Sequence, residues 1–111
     1  MEREADAAPL GRLRASANEA LELAKANLKL TVTDFILKAT VEALRRVPAV
    51  NSSWEGSSIR QHGSVHLAFA VALPDGLITP VIKNAHAKDL RTIAREAKEL
   101  GAKAKAGKLQ P

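Results

Sequence analysis

The sequence predicts an α/β fold in which helices lie on a mixed or antiparallel sheet, and three features of it carry that prediction. Apolar residues recur at steps of three or four in three separate stretches, the repeat of a helix with one inward face. Between the second and third stretches, "SVHLAFAVAL" alternates strictly as a strand does, with Val65, Leu67, Phe69, Val71 and Leu73 on one side and His66, Ala68, Ala70 and Ala72 on the other. The resulting order of helix, helix, strands, helix fits two packed layers.

The first helix is predicted from Pro9 to about Asn27, with Leu10, Leu13, Ala17, Leu21, Ala24 and Leu28 on its buried face. Asp6 is placed to cap it, and Pro9 is tolerated because it falls in the first turn. After an extended "LKLTVT", Thr33 or Thr31 caps a second helix, Asp34 to about Arg46, with Phe35, Ile36, Ala39, Ala43 and Leu44 as its apolar stripe. Pro48 ends it. Arg45 and Arg46 lie in the last turn, where positive charge suits the carbonyl end of the helix, so a structural role competes with a ligand role.

The stretch "VNSSWEGSSIRQHG" predicts a small hairpin turning at Glu55-Gly56, with Trp54 and Ile59 in its arms. In the long alternating strand that follows, the second face is lined by alanine instead of charge, which implies a close neighbour on that side as well. Asp75-Gly76 supplies the next turn, and Leu77 to Ile82 returns antiparallel. Asp89 then caps a third helix, Leu90 to about Lys105, with Leu90, Ile93, Ala94, Ala97 and Leu100 inward. Glu99 and Lys103 are spaced as an i,i+4 pair, and Gly107 stops the helix.

Pro80 interrupts the returning strand. Proline cannot donate to a ladder, so its nitrogen belongs at an edge, at a bulge, or where the strand leaves the sheet. A strand that peels away can line a channel, and it can equally lie buried under a helix.

A chain of 111 residues makes one domain at most, and its 46 % hydrophobic and 26 % charged residues belong to a folding chain rather than a disordered one. No apolar run reaches the length of about 18 residues that a membrane span needs. The acidic, alanine-rich opening "MEREADAAP" is unlike a signal peptide, which leads us to expect a cytosolic or organelle-matrix protein. The absence of cysteine excludes disulfides, thiolate catalysis and cysteine-ligated zinc. A net charge of +5 favours anionic partners. With one Trp, two Phe and no Tyr, and with charge spread around every helix, a nucleic-acid interface is disfavoured.

The three histidines do not form a metal motif. His62 lies in a polar turn, His66 on a strand and His86 just before a helix, and no HExxH or i,i+4 histidine pair occurs. No serine sits in a GxSxG elbow, and no glycine-rich phosphate loop follows a strand. The hydroxyls of "NSSW" serve a turn as readily as a ligand. From the residues alone, binding is better supported than turnover.

Three ordered patterns carry a family resemblance: D-F-x-x-K-A from Asp34, A-L-x-x-x-P-x-x-N-x-S from Ala43, and A-V-x-x-P-D-G-L-x-x-P-V-I from Ala70. Together they resemble the acyltransferase (E2) catalytic domain of 2-oxo acid dehydrogenase complexes over nearly the whole chain. The resemblance implies a chloramphenicol-acetyltransferase-like two-layer sandwich and transfer of an acyl group between a dihydrolipoyl thiol and coenzyme A, without a metal. It implies lipoyl domains and other E2 subunits as partners, in trimers that build larger cores, in bacterial cytoplasm or the mitochondrial matrix. The family's active site lies in a channel between subunits, and Asp75, Gly76, Leu77 and Pro80 are expected beside it. Arg14 is expected at the phosphate end of coenzyme A, where a forked guanidinium suits a phosphate, with Ser53 as a further contact.

The family's catalytic histidine stands in a D-H-x-x-x-D-G motif that these residues do not contain, so no residue here inherits its role. Residues 1–111 correspond to a partial domain, without the family's first helix and strand and without the histidine-motif half, and the chain alone is expected to be inactive. Two other roles stand beside this one: a non-catalytic assembly module of the core, and a small basic nucleic-acid binder.

Overall fold

A computed structural model of the chain describes residues 2–107. Helix α1 runs Ala8–Leu23, with Pro9 in its first turn and the Asp6 carboxylate accepting from the Ala8 N–H at 3.0 Å. Ala7, not Asp6, holds the cap position. The helix ends short of the predicted Asn27 because Lys25 turns into the left-handed region at φ 56°. The Ala26 N–H then reaches the Leu21 carbonyl at 2.9 Å and the Lys25 N–H that of Glu22 at 3.0 Å, the two bonds of a Schellman closure.

The face predicted to be buried on α1 is only half covered: Leu10, Ala17 and Leu21 are half-buried, Leu13 is 56 % exposed and the helix has no buried residue. The helix is held instead by Asn18, whose side-chain amide donates to the Leu30 carbonyl at 2.9 Å and accepts from its N–H at 2.7 Å. That amide mimics one rung of a strand pair.

Helix α2, Val32–Arg46, opens on a capping box in which Thr31 accepts from the Asp34 N–H and Asp34 from the Thr31 N–H, which settles the cap on Thr31. Its buried stripe is Asp34, Leu37 and Val41; of the predicted set Leu44 and Phe35 are half-buried, Leu44 against the core, whereas Ala39 and Ala43 are exposed and Ile36 is 53 % exposed. This helix is apolar around most of its girth, so periodicity alone left two faces to choose from. Val47 follows, and Pro48–Val50 form a single 3₁₀ turn. Helix α3, Leu90–Lys105, matches its prediction, with the Asp89 side chain accepting from the Thr92 N–H at 2.8 Å and Gly107 at φ 70° beyond its end. Among the described residues Glu99 and Lys103 form no ion pair.

The strands are β1 Ser52–Trp54, β2 Ile59–Gln61, β3 Leu67–Ala68, β4 Val71–Leu73, β5 Gly76–Ile78 and β6 Val81–Ile82. All pairs are antiparallel: β1 with β2, β3 with β6, β4 with β5. The last two pairs share one register, with Leu67 opposite Ile82 and Val71 opposite Ile78, so they are one ribbon with a gap.

That gap is Pro80. The Phe69 N–H donates to the Pro80 carbonyl at 3.1 Å, and a pair bonded this way normally exchanges a second bond. Proline has no N–H to return, so one rung is lost and the ladder resumes in unchanged register. Pro80 is buried. The strand therefore stays on its neighbour and under the helices, with neither a bulge nor a departure from the sheet. The turn residues are Pro74 and Asp75, and Gly76 already opens β5 at φ 152°, which L side chains rarely adopt.

The ribbon's odd-numbered face, Val65 to Leu73, lies inward as predicted, whereas Ala68, Ala70 and Ala72 are exposed. The neighbour expected against the alanines is not among the described residues. The inward face packs on α2 and α3 around Leu37, Val41, Val65, Ile82, Ala85 and Ile93. That core is small for the chain. The radius of gyration is 16.1 Å against about 13 Å for a compact chain of this length. The accessible surface is 8460 Å², where a compact monomer of 11.8 kDa exposes about 5,900 Å².

Candidate functional site

The candidate residues lie on the ribbon, on the β1–β2 hairpin and on α1. At the open end of the ribbon two imidazoles tie its arms together. The Val65 N–H donates to His86 Nδ1 at 3.1 Å and the Asn84 N–H to His66 Nδ1 at 3.0 Å, while the Ala85 N–H donates to the Val65 carbonyl at 2.8 Å. Each ring accepts through Nδ1, so each neutral ring carries its proton on Nε2 and has no free lone pair. Asn84 makes this closure by entering the left-handed region at φ 52°, which asparagine tolerates better than most residues.

On the hairpin, Ser53 Oγ lies 3.2 Å from His62 Nε2 and 3.4 Å from Glu55 Oε1. The hydroxyl thus sits between two polar side chains on an exposed surface, with Glu55 bonded to the serine and not to the histidine. Opposite Ser53's face, Trp54 and Ile59 form a cross-strand pair that is 68 % and 71 % exposed.

The other sequence candidates do not form one wall. Arg14 is half-buried on α1 and has no ion-pair partner among the described residues. Asp75, Gly76 and Leu77 lie at the ribbon tip, exposed, with Leu77 on the outward face. Pro80 lies on the inward face. Sequence reasoning passed over the Nδ1 acceptor role of His66 and His86. It also passed over Lys38, which donates to the Lys88 carbonyl at 2.9 Å and so locks α2 to the entrance of α3.

Two clefts accompany these elements. One of about 390 Å³ brings His62 and His86 together with Arg45, Asn51 and Gln61 below the hairpin. The other, of about 630 Å³, runs from Phe69–Ala72 across the start of α2 to the later turns of α3. Electrostatics at the helices is local: hydrogen bonds from Arg45 and then Lys38 hold the Glu42 carboxyl below the usual carboxylate range. The Asp89 carboxyl is lowered chiefly by the Thr92 N–H. Among the described residues no three His, Asp or Glu side chains converge as a metal site.

Comparison with known proteins places this arrangement. Residues 1–111 match the family described as 2-oxoacid dehydrogenases acyltransferase (catalytic domain). The acetyltransferase component of the mitochondrial pyruvate dehydrogenase complex of Schizosaccharomyces pombe is 49 % identical over 100 residues, 90 % of this chain and 20 % of that protein. The corresponding component of Caenorhabditis elegans is 53 % identical over 83 residues, 75 % of this chain and 16 % of that protein.

Among solved structures, a probable dihydrolipoamide acetyltransferase from Listeria monocytogenes superposes with a TM-score of 0.90 at 39 % identity, over 99 % of this chain and 47 % of that one. Azotobacter vinelandii dihydrolipoamide acetyltransferase gives 0.86 at 40 % identity, over 96 % of this chain and 44 % of that one. The fold is therefore that of an acyltransferase core. The chain belongs to the catalytic-domain family of the 2-oxoacid dehydrogenase acyltransferases. It spans about a fifth of the curated relatives and under half of the solved chains.

Proposed function

We propose that these residues serve as the substrate-binding and assembly part of a dihydrolipoamide acyltransferase, in which a thioester acyl group passes between a lipoyl-bound sulfur and coenzyme A. The observation that carries this is the match of residues 1–111 to the family together with superposition on the Listeria structure at a TM-score of 0.90. In the transfer, the attacking thiol loses a proton, its sulfur bonds to the acyl carbon, and the carbon–sulfur bond of the donor thioester breaks, returning a thiol. A proton acceptor is needed.

His66 and His86 are poor candidates, because their one available lone pair already accepts a peptide N–H. We assign the acceptor to a part of the enzyme outside these residues. Arg14 fits the phosphate end of coenzyme A, being a guanidinium without a carboxylate partner among the described residues. Ser53 is a weaker contact, since its hydroxyl is engaged by His62 and Glu55. Asp75, Gly76 and Leu77 would border the channel through the exposed ribbon tip, with Pro80, buried on the inward face, supporting the arm behind them. The relatives named above include mitochondrial and bacterial proteins, which supports the mitochondrial matrix or the bacterial cytoplasm as the compartment.

Acetyl transfer from acetyl-CoA to dihydrolipoamide tests this reading. The 111-residue chain alone should give no rate above background, while binding coenzyme A with an affinity that Arg14→Gln lowers about tenfold, the order expected for one charged phosphate contact. Turnover by the chain alone at the rate of a whole domain would overturn it.

A second reading, an assembly module, is favoured by the surface in excess of a compact monomer, roughly 2,500 Å². A component of the pyruvate dehydrogenase complex called protein X, from Mus musculus, is 44 % identical over 90 residues, and a pyruvate dehydrogenase structure solved as a cubic core superposes with a TM-score of 0.86. Co-purification of the chain with a full-length core tests it, and a chain that stays monomeric beside the core would remove it.

A further inference from the structure

We propose that Asn18 is a positioning residue for Arg14. Its clasp on the Leu30 backbone sets the roll of α1 so that Arg14, and not Leu13, lies on the covered side of the helix, ready for a phosphate of coenzyme A. That role rests on the reading of Arg14 as a phosphate contact.

The apolar pattern of α1 asks for a different roll. Successive residues advance by about 100° around an α-helix, so Leu10, Leu13, Ala17, Leu21 and Ala24 define one apolar face. The half-buried residues of the helix are instead Leu10, Arg14, Ala17, Asn18 and Leu21. On the same geometry the centre of this second set is turned from the apolar face by roughly 40°. The turn leaves Leu13 56 % exposed and brings Arg14 in. Exchanging a leucine for a charged side chain on a covered face runs against the hydrophobic effect, so another interaction must hold the helix there.

Asn18 supplies that hold. Its amide donates to the Leu30 carbonyl at 2.9 Å and accepts the Leu30 N–H at 2.7 Å. Among the described residues, no other hydrogen bond and no ion pair joins α1 to any residue beyond Ala26. The far end of the clasp is fixed: Leu30 is 3 % exposed, and Thr31 beside it is locked by the capping box of α2.

Arg14 stands one turn before Asn18, at i−4, and so shares its side of the helix. Its guanidinium makes no hydrogen bond or ion pair among the described residues. A fork of N–H donors held on the covered side without a partner is free to receive a phosphate. Asn18 acts through that fork and touches no reacting atom.

Two readouts test this in the 111-residue chain. Phenylglyoxal modifies guanidinium groups and reports the roll without any ligand, with exposed Arg12 as the reference on the same helix. Asn18→Ala should raise the rate at Arg14 to that of Arg12. The same variant should weaken coenzyme A binding about fivefold, the order expected when a hydrogen-bonded hold is lost. In an Arg14→Gln background it should cost nothing further, whereas a merely structural role would lower affinity in both backgrounds.

Fraying of α1 would also expose Arg14, and Leu13→Gln separates the two cases. Added to Asn18→Ala, it removes the side chain that draws the helix round, so both readouts should return part of the way; in a frayed helix neither would. An unchanged Arg14 rate, equal losses with and without Arg14, or no recovery with Leu13→Gln would each overturn the proposal. Failure of the phosphate reading has its own signature: coenzyme A binding would be indifferent to Arg14→Gln. The binding role of Asn18 would fall with it, while the reagent would still decide the roll.

Discussion

Lys25 holds a left-handed backbone conformation at φ 56° to close α1, a place where glycine costs least. Lys25→Gly should therefore raise stability by about 0.5–1 kcal/mol, after its larger loss of chain entropy is set against the relieved strain. A urea midpoint that does not move would show that the lysine side chain is held by a compensating contact. At the other extreme of burial, Ile93 is fully enclosed, and Ile93→Ala should cost about 2–5 kcal/mol. Asp89 gives a pH signature. Its carboxyl is lowered in the folded chain by the Thr92 N–H, so its stabilising contribution is complete above the ordinary aspartate value of about 4 and disappears as pH falls through the lower folded value. Asp89→Asn keeps a cap without a charge. Thermal midpoints measured from about pH 5 to pH 2 should fall less steeply in that variant than in the parent.

Among the elements, α3 and the ribbon could be read before any coordinates because their patterns admit one solution. Strict alternation from Val65 to Leu73 permits a single inward face, and Asp89 and Gly107 bracket the helix chemically. The face of α2 was legible only in part. Ile36, Leu37, Val41 and Ala43 are all apolar, and which of them is covered depends on where the ribbon and α3 lie, information that the helix does not contain. Of the candidate site, the turn at the ribbon tip followed from the residues, but Arg14 and Ser53 entered through resemblance alone, since a helix arginine and a loop serine have no distinguishing spacing. The interruption at Pro80 lay between the two, because its missing N–H was evident but its place in an unbroken register was not. Pro80→Ala should restore the second bond to Phe69. The new amide at position 80 should then exchange as slowly as that of Phe69, and rapid exchange there would show that the arms are splayed at this point.

For the whole molecule, several side chains of the kind that anchor contacts stand exposed, among them Leu77 on the ribbon, Ile36 on α2, and Trp54 and Ile59 on the hairpin. A two-stranded hairpin such as β1–β2 gains little stability by itself, and its exposed pair contributes accordingly little to the isolated chain. Trp54→Ser with Ile59→Thr should leave the thermal midpoint unchanged, within the roughly 0.5 kcal/mol usual for surface substitutions. The same variant should weaken co-sedimentation with a full-length core. A large loss of stability would show that the hairpin is part of the folding unit rather than a surface for neighbours.

The location of Trp54 also decides what light can report. With no tyrosine in the sequence, ultraviolet emission comes from that one indole, which stands largely in water at the hairpin and is not part of the core that encloses Ile93 and Ile82. Melting of the helical layer will leave the emission colour almost unaltered. A neighbour settling over the hairpin will shift it to the blue, so the chain carries a built-in probe of docking that is nearly blind to its own unfolding.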